Sequence, residues 1–194
     1  MSRLSIFPEC AKQTASDAAV PLLVSDDPAV IQTELARRGI GFERWPATQR
    51  LEDGADQSDI LTAYEAEVRR IQREGGYATV DAIRMTPEHP DRASLRQTFL
   101  SEHTHAEDEV RFFVEGRGLF SLHIGNEVLV TLCEQGDLIR VPAGTRHWFD
   151  MGSSPAFCAL RFFNNSEGWV AQFSGDPIAE RFPTLQACSS VQSR

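Results

Sequence analysis

The spacing of apolar residues divides the chain into a helical first part and a β-rich second part. Within the first part, one stretch begins at Pro28 and ends before Gly39, and a second covers residues 57–74 and ends at Gly75. The residues that would form one apolar face are Val30, Ile31, Leu35 and Ile40 in the first stretch and Ile60, Leu61, Tyr64, Val68 and Ile71 in the second. Apolar positions three and four residues apart indicate amphipathic helices. The first 76 residues are therefore predicted to be mainly helical, with a short strand near residues 20–24.

After residue 76 the apolar runs become short, β-branched and aromatic, and turn residues separate them. The predicted strands cover residues 77–85, 95–105, 109–114, 119–124, 128–132, 138–141, 147–151 and 157–163. Seven or more short strands at this spacing favour a sandwich or a barrel. We predict a mainly β protein in which residues 1–76 form a helical extension, residues 77–175 form a barrel, and residues 176–194 form a C-terminal tail.

Composition and charge narrow the range of partners. The chain has 194 residues, of which 41% are hydrophobic and 24% charged, as is typical of a globular domain. Its net charge of −9 argues against binding to nucleic acid or to anionic membranes, which attract basic surfaces. No apolar run approaches the roughly 20 residues of a membrane span, and the first ten residues lack the apolar core of a secretory signal. We expect a cytoplasmic protein, most simply a monomer.

Three histidines and one glutamate stand at spacings that suit a metal site. His103 and His105 lie two residues apart in a predicted strand, so their side chains share one face. Glu109 and Arg111 keep the same parity, and His147 closes a Pro-x-Gly-x-x-His turn. Imidazole and carboxylate ligands suit divalent iron, nickel, zinc and copper. The pattern therefore predicts one transition-metal site.

The other two histidines have no potential metal ligands at comparable spacings. His89 lies in a loop with two prolines, and His123 stands alone in a predicted strand. A single histidine in a strand is usually a structural or surface residue. We interpret both as unrelated to the metal.

The two metal segments resemble the two sequence motifs of the cupin superfamily. The first motif is matched by His103, His105, Glu109 and Gly116, and the second by Gly136, Pro142, Gly144 and His147. Gln97 and Met151 depart from the usual pattern, but neither position supplies a metal ligand. The resemblance implies a cupin-type double-stranded β-helix, or jelly-roll barrel, with the metal between the sheets. Because cupins host many activities, the fold alone does not decide the function.

A closer resemblance covers residues 95–120 and 141–150. The string Glu-His-Thr-His-Ala-Glu-Asp-Glu-Val-Arg-Phe-Phe-Val at residues 102–114 is far more specific than the general cupin pattern and resembles the acireductone dioxygenase family. The resemblance implies an enzyme of methionine salvage, a route of amino-acid biosynthesis. Such an enzyme cleaves the acireductone 1,2-dihydroxy-3-keto-5-methylthiopentene with O2. The iron form would give 4-methylthio-2-oxobutanoate and formate, and the nickel form 3-methylthiopropionate, formate and carbon monoxide.

The resemblance also assigns expected roles to single residues. His103, His105, Glu109 and His147 match the ligands of one Fe(II) or Ni(II) ion per chain. Arg111 matches the residue tied to formation of the substrate dianion. The matching positions at Glu102 and Asp108 are linked to metal incorporation and to conformational coupling.

Residue chemistry leaves alternatives for three of these roles. Arg111 could instead form a buried ion pair with Glu115 or Asp137. Because Glu102 has the opposite parity to His103, it could either orient a metal ligand from behind or face solvent. Asp108 could be a turn residue or could form a hydrogen bond with His105 from outside the metal sphere.

Aromatic residues on the same predicted face as the metal ligands could enclose a small substrate. Phe113 follows Arg111 on that face, and Phe149 and Trp169 are further candidate walls of the pocket. Apolar walls exclude water and suit a methylthio group. For Phe149 and Trp169, ordinary core packing is the competing interpretation.

Two rival functions remain open at this stage. One is another cupin metalloenzyme, such as an isomerase or a different dioxygenase, with the same ligands and another pocket. The other is a non-catalytic barrel that binds a metal or a small molecule. Consumption of O2 with the acireductone would distinguish the dioxygenase from the first rival. A buried arginine such as Arg111 would distinguish it from the second, because a storage barrel has no need of one.

Overall fold

A computed structural model describes residues 1–10, 20–164 and 170–190 of the chain. Its helices are α1 (Pro28–Ala36), α2 (Gln57–Ala63), α3 (Glu65–Gly75), α4 (Arg92–Phe99) and α5 (Leu185–Ser190), with a 3-10 helix at Pro177–Arg181. Its strands are β1 (Arg3–Pro8), β2 (Leu23–Ser25), β3 (Gly41–Arg44), β4 (Thr79–Met85), β5 (His103–Thr104), β6 (Glu109–Ile124), β7 (Glu127–Glu134), β8 (Asp137–Val141), β9 (Arg146–Asp150), β10 (Phe157–Phe163) and β11 (Gln172–Phe173). Across these residues, no helix combines the length and the apolar character that crossing a bilayer requires.

The strands form two antiparallel layers that share one long strand, β6. Sheet 1 has the order β11-β5-β9-β6-β7-β1-β2, and sheet 2 has the order β4-β10-β6-β8-β3. The strand β6 passes from sheet 2 to sheet 1 near Gly116, whose φ of +67° is open to glycine but strained for other residues. A Cβ atom at this position would lie 1.9 Å from the carbonyl oxygen of Ala156. The prediction of a mainly β protein is confirmed.

The inner faces of the two sheets pack together into one apolar core. Phe113 of sheet 2 contacts Phe120 and Phe149 of sheet 1, with ring centroids 6.4 Å apart in both pairs. Side chains from both sheets and from α1 complete this core, and all of them are buried. Burial of apolar area on this scale is the main term that stabilises the fold. The metal ligands described below lie at one end of the same interior.

Two further apolar clusters cover the outer faces of the sheets. On sheet 2, Tyr64 and Ile71 from the α2–α3 region pack against Phe112 and Phe162. The C-terminal segment covers sheet 1, where it contributes Ile178, Phe182 and Leu185, and the Phe182 ring lies 5.9 Å from Trp148. These clusters bury the outer face of sheet 2 and, in sheet 1, the outer face of the part formed by β9, β6, β7 and β1.

The first 76 residues contribute strands as well as helices. Helix α1 lies where it was predicted, capped by the Asp27 side chain, which accepts from the N–H of Ala29 at 2.8 Å. The predicted second helix is divided at Tyr64 into α2 and α3. Strands β1 and β3 pair with β7 and β8, so this part of the chain joins both sheets. The domain limits at residues 76 and 175 remain a prediction.

The predicted strand at residues 95–105 is wrong for its first half. Residues 92–99 form helix α4, and only His103–Thr104 are extended. Leu95 and Phe99 stand four residues apart, so a helix brings both onto the inner core, where they are partly buried. The helix also brings Arg96 to Asp150, with an Nε–Oδ1 distance of 2.8 Å. These tertiary contacts favour helix over strand.

Candidate metal centre

Three strands bring four predicted ligands together at one end of the barrel interior. His103 lies in β5 and stands directly across from His147 in β9. His105 follows β5, and Glu109 is the first residue of β6. One donor atom from each of the four residues lies within 4.8 Å of the others, and all four side chains are buried. The arrangement is a metal-binding site made of three imidazoles and one carboxylate.

The carboxylate of Glu109 stands at the centre of the group. Its Oε2 atom lies 2.8 Å from Nε2 of His147 and 3.3 Å from Nε2 of His105. The ring centroids of His103 and His147 are 4.5 Å apart, and those of His105 and His147 are 5.1 Å apart. Burying a carboxylate and three imidazole lone pairs this close together is unfavourable unless a cation lies between them. The donor set fits one divalent ion.

Backbone carbonyl groups fix the orientation of all three histidines. The Nδ1 atom of His103 lies 2.7 Å from the carbonyl oxygen of Ser101, and Nδ1 of His147 lies 2.8 Å from that of Thr145. A carbonyl oxygen can only accept, so each Nδ1 carries the proton and each Nε2 keeps its lone pair. Nδ1 of His105 makes the corresponding contact with Val170, at 3.2 Å. The rings are therefore held in the tautomer that binds a metal through Nε2.

The electrostatics of the site favour the ligand forms of His103 and Glu109. Burial, together with the neighbouring His147, lowers the pKa of His103 to about 4, so its imidazole is neutral near pH 7. Burial alone would raise the pKa of Glu109. The charge of Arg111 and the contacts with His105 and His147 outweigh burial and hold that pKa well below its ordinary value. The carboxylate is therefore ionised.

Arg111 lies deep in the same interior. Its Nε atom is 2.7 Å from Oε1 of Glu109, as an ion pair that is not aligned as a hydrogen bond. The guanidinium carbon lies 4.6 Å from the Phe149 ring centroid and 5.2 Å from that of Phe120. Burial lowers the pKa of Arg111, and Glu109 opposes that shift. Arg111 is thus an internal cation between the ligand carboxylate and aromatic rings.

The ion pair predicted as the alternative role of Arg111 has a different partner. The two acids proposed for it are engaged elsewhere: Glu115 lies 3.1 Å from Arg84, and Asp137 accepts from the hydroxyl of Ser2 at 2.5 Å. Arg111 instead meets the metal ligand two residues before it. Alternation along β6 explains this result, because residues 109 and 111 point to the same side of the sheet.

The aromatic residues predicted for the pocket have different outcomes. Phe113 and Phe149 are both fully buried in the inner core, and Phe99 of α4 contacts Phe149 at a centroid distance of 6.5 Å. Trp169 lies outside the described residues. Sequence reasoning missed Phe173, whose half-exposed ring stands edge-on to His103 at 5.8 Å. Its position in β11 beside β5 depends on strand pairing that the sequence pattern does not reveal.

The two acidic residues that flank the ligands are both engaged. Glu102 is buried, and its Oε1 atom lies 2.6 Å from Nδ1 of His123, so the solvent-facing alternative is wrong. Oδ1 of Asp108 accepts from the N–H of Ala143 at 3.0 Å. That bond fastens the end of the first motif to the turn that leads to His147. The sequence around His123 gives no signal for this contact, because its partner Glu102 is 21 residues away.

Comparison with known proteins agrees with this geometry. A model of the ARD/ARD' family matches residues 14–171. The chain is 70% identical to an acireductone dioxygenase of Synechococcus sp. (strain CC9902) over 185 residues, which are 95% of this chain and 100% of that relative. It is 72% identical over 187 residues to an acireductone dioxygenase of Parasynechococcus marenigrum (strain WH8102), again with 95% and 100% coverage.

A solved structure matches the fold as well. It is an acireductone dioxygenase from Bacillus anthracis with a cadmium ion in its active centre, 26% identical to this chain with a TM-score of 0.74. The match covers 89% of this chain and 98% of that one. This likeness confirms the predicted cupin-type barrel with added helices. In that relative, a divalent ion occupies the active centre.

Proposed function

The chain belongs to the acireductone dioxygenase family and is a metal-dependent dioxygenase; from this membership we propose which metals it uses and what each residue of the site does. The substrate is an acireductone, 1,2-dihydroxy-3-keto-5-methylthiopentene, which is cleaved with O2 in methionine salvage. The single observation that supports the proposal most strongly is the convergence of three histidines and Glu109 beside the buried cation of Arg111.

The metal is one Fe(II) or Ni(II) ion per chain, held by His103, His105, Glu109 and His147. A divalent ion at this place supplies Lewis acidity, which lowers the pKa of a coordinated hydroxyl group. The donor set supports this choice, because imidazole and carboxylate suit both metals. The iron form gives 4-methylthio-2-oxobutanoate and formate. The nickel form gives 3-methylthiopropionate, formate and carbon monoxide.

Arg111 binds and stabilises the anionic form of the substrate. An enediol that has lost its protons carries two negative charges, and a guanidinium fixed by Glu109 and by the face of Phe149 needs no reorganisation to meet them. Because the site is buried, this interaction is much stronger than it would be in water. Arg111 therefore acts on the charge of the substrate, while Glu109 remains a metal ligand.

The aromatic rings exclude water and receive the apolar end of the substrate. Phe149 is the wall that contacts Arg111, and Phe113 and Trp169 are proposed as further walls. Exclusion of water protects an electron-rich intermediate from side reactions. Glu102 and Asp108 hold the ligand segments from outside the metal sphere. Asp108 does so by accepting from the N–H of Ala143, in the turn before His147.

The remaining proposals concern the state of the protein in the cell. We place it in the cytoplasm as a monomer whose partners are a small substrate and O2, without nucleic acid or membrane. The net charge of −9 supports the absence of polyanionic partners. Gel filtration with light scattering tests the monomer, since a second copy would double the measured mass.

The decisive experiment measures O2 consumption by protein loaded separately with Fe(II) and with Ni(II). The substrate is acireductone generated chemically under anaerobic conditions, and products are identified by mass spectrometry and gas analysis. We expect metal-dependent uptake with both ions and carbon monoxide only from the nickel form. Metal-loaded protein that consumes no O2 with this substrate would rule out the proposed reaction and leave another cupin reaction or a binding barrel as the alternatives.

A further inference from the structure

A buried polar group lies on the outer face of sheet 1, directly behind the metal ligands. The side chains of Glu102 and His123 are both fully buried, and Oε1 of Glu102 is 2.6 Å from Nδ1 of His123. The second carboxylate oxygen, Oε2, is buried and has no hydrogen-bond partner in the described part of the chain. A buried carboxylate is unfavourable unless it is paired. The contact with His123 is therefore a main interaction that stabilises Glu102 in its buried position.

The other ring nitrogen of His123 faces the second ligand strand. Nη2 of Arg146 lies 3.2 Å from Nε2 of His123. A guanidinium can only donate, so Nε2 accepts this bond and the ring proton sits on Nδ1, where it is donated to Glu102. Oε1 of the more exposed Glu9 lies 3.3 Å from the same Nε2. One imidazole thus joins Glu102 on one side to Arg146 and Glu9 on the other.

Both neighbours of His123 stand next to metal ligands in the sequence. Glu102 precedes His103, and Arg146 precedes His147. Successive residues of a strand point to opposite faces, so a ligand that points into the barrel has its neighbour on the outer face. The pairing of β6 with β9 agrees, because His123 is opposite Arg146. The contacts of His123 therefore form a bridge behind the metal site.

The strands that this bridge joins have little other pairing between them. Strand β5 has only two residues, and its pairing with β9 consists of the single pair of His103 with His147. A two-residue strand gains little from its ladder and needs other contacts to keep its position. The metal site depends on that position, because a small rotation of β5 would move the Nε2 atom of His103 away from the other three ligands.

We propose that His123 is a positioning residue for the metal site, which holds the backbones of β5 and β9 together through Glu102 and Arg146. The proposal rests on the metal site but not on the identity of the substrate. It differs from the sequence-based interpretation of His123 as a histidine unrelated to the metal. An outer contact that orients ligands typically changes metal affinity by about 10- to 100-fold when it is removed.

A purely structural role predicts a different outcome. If His123 only satisfied a buried carboxylate, its replacement would lower the stability of the protein but would leave the geometry and the retention of the metal unchanged in molecules that fold. The test therefore measures the metal itself. Cobalt(II) is the probe, because its visible absorption bands report the arrangement of its ligands.

The first variant is His123→Phe, which keeps a ring of similar shape and removes both polar contacts. The folded, cobalt-loaded protein is mixed with an excess of chelator, and the release of cobalt is followed over time. We expect release about 10-fold faster than from the wild-type protein, together with shifted absorption bands. The matched control is His89→Gln, in the loop before α4, which should release cobalt at the wild-type rate and keep the wild-type spectrum.

A second variant keeps the test decisive if the first does not fold. Arg146→Gln leaves the buried pair of Glu102 and His123 in place and removes a partly exposed cation beside the site. By charge alone, losing a cation should slow the release of a metal ion, whereas the bridge predicts faster release and shifted bands. A wild-type rate of release from either folded variant overturns the proposal. That result would leave the dioxygenase assay, and hence the proposed function, untouched.

Discussion

Replacement of Arg111 by methionine separates the metal site from the chemistry of the substrate. Methionine fills much of the space of the arginine stem between Phe149 and Phe120 but carries no charge. Glu109 then loses the ion pair whose atoms lie 2.7 Å apart in the buried interior. We expect three consequences: lower stability of the metal-free protein, unchanged or higher affinity for the metal, and much slower turnover.

The magnitudes follow from the burial of the pair. Two unit charges about 4 Å apart attract each other by about 4 kcal/mol at an effective dielectric constant near 20. Removing one partner of a buried pair costs about 3–5 kcal/mol, because the other charge stays buried without compensation. At about 2–4 °C per kcal/mol for a chain of this size, the melting temperature of the metal-free protein should fall by roughly 10 °C. A bound cation restores much of this loss, because it supplies the positive charge that Glu109 lacks.

Turnover should fall for a different reason. A fixed donor that stabilises developing negative charge typically contributes about 10²- to 10³-fold to kcat, and we expect a loss in that range for Arg111→Met. The measurements are thermal unfolding with and without nickel, metal content by elemental analysis, and O2 consumption at full metal occupancy. Normal kcat in the loaded variant would refute the role of Arg111 in the chemistry. Failure to retain nickel would show instead that Arg111 holds Glu109 in place for the metal.

Three further predictions concern the site and the fold. His105→Ala should abolish both metal content and turnover; a variant that still binds one ion per chain would contradict the ligand assignment. Gly116→Ala should lower the free energy of unfolding by more than about 2 kcal/mol, because its Cβ meets a carbonyl oxygen at 1.9 Å. Gly125→Ala has open space at a similar φ and should cost about 1 kcal/mol; equal losses in chemical denaturation would remove the argument from close approach. Asp150→Asn should cost about 2 kcal/mol near pH 7. Burial raises the pKa of Asp150, but Arg96 and two backbone N–H groups outweigh it and lower that pKa. The stabilisation by the ionised Asp150 is therefore present above its ordinary pKa and is lost as the pH falls. The variant should consequently lose less stability on acidification than the wild type. Melting temperatures measured from pH 7 to pH 3 test this.

The sequence predicted those parts of the structure in which side chains alternate between the two faces of a strand. The alternation of Glu109, Arg111 and Phe113 placed all three on the inner face of β6, where they lie. The ligand histidines could be found for the same reason, since His103 and His105 are two residues apart. Periodicity of two reports which face a side chain occupies, and in a barrel the inner face is the one that holds the site.

The parts that were missed depend on contacts between distant segments. Residues 95–99 have an apolar pattern that fits a strand or a helix, and the choice of helix follows from the reach of Arg96 to Asp150, 54 residues away. The strands β1 and β3 come from a region whose helices dominate its pattern. Their pairing with β7 and β8 decides their structure, because a strand is stabilised by its neighbours more than by its own residues.

The three ligand histidines show how local and distant information divide within a single site. His103 and His147 are each oriented by the carbonyl group two residues earlier, so the chain segment that supplies the ligand also sets its tautomer. His105 is oriented by Val170, 65 residues further along the chain. Two ligands are thus prepared as soon as their strands form, whereas the third is prepared only when the segment around β11 has packed beside β5. Because a histidine ligand binds best when its other nitrogen is fixed, full affinity for the metal requires the C-terminal part of the chain, although none of the four ligands lies there.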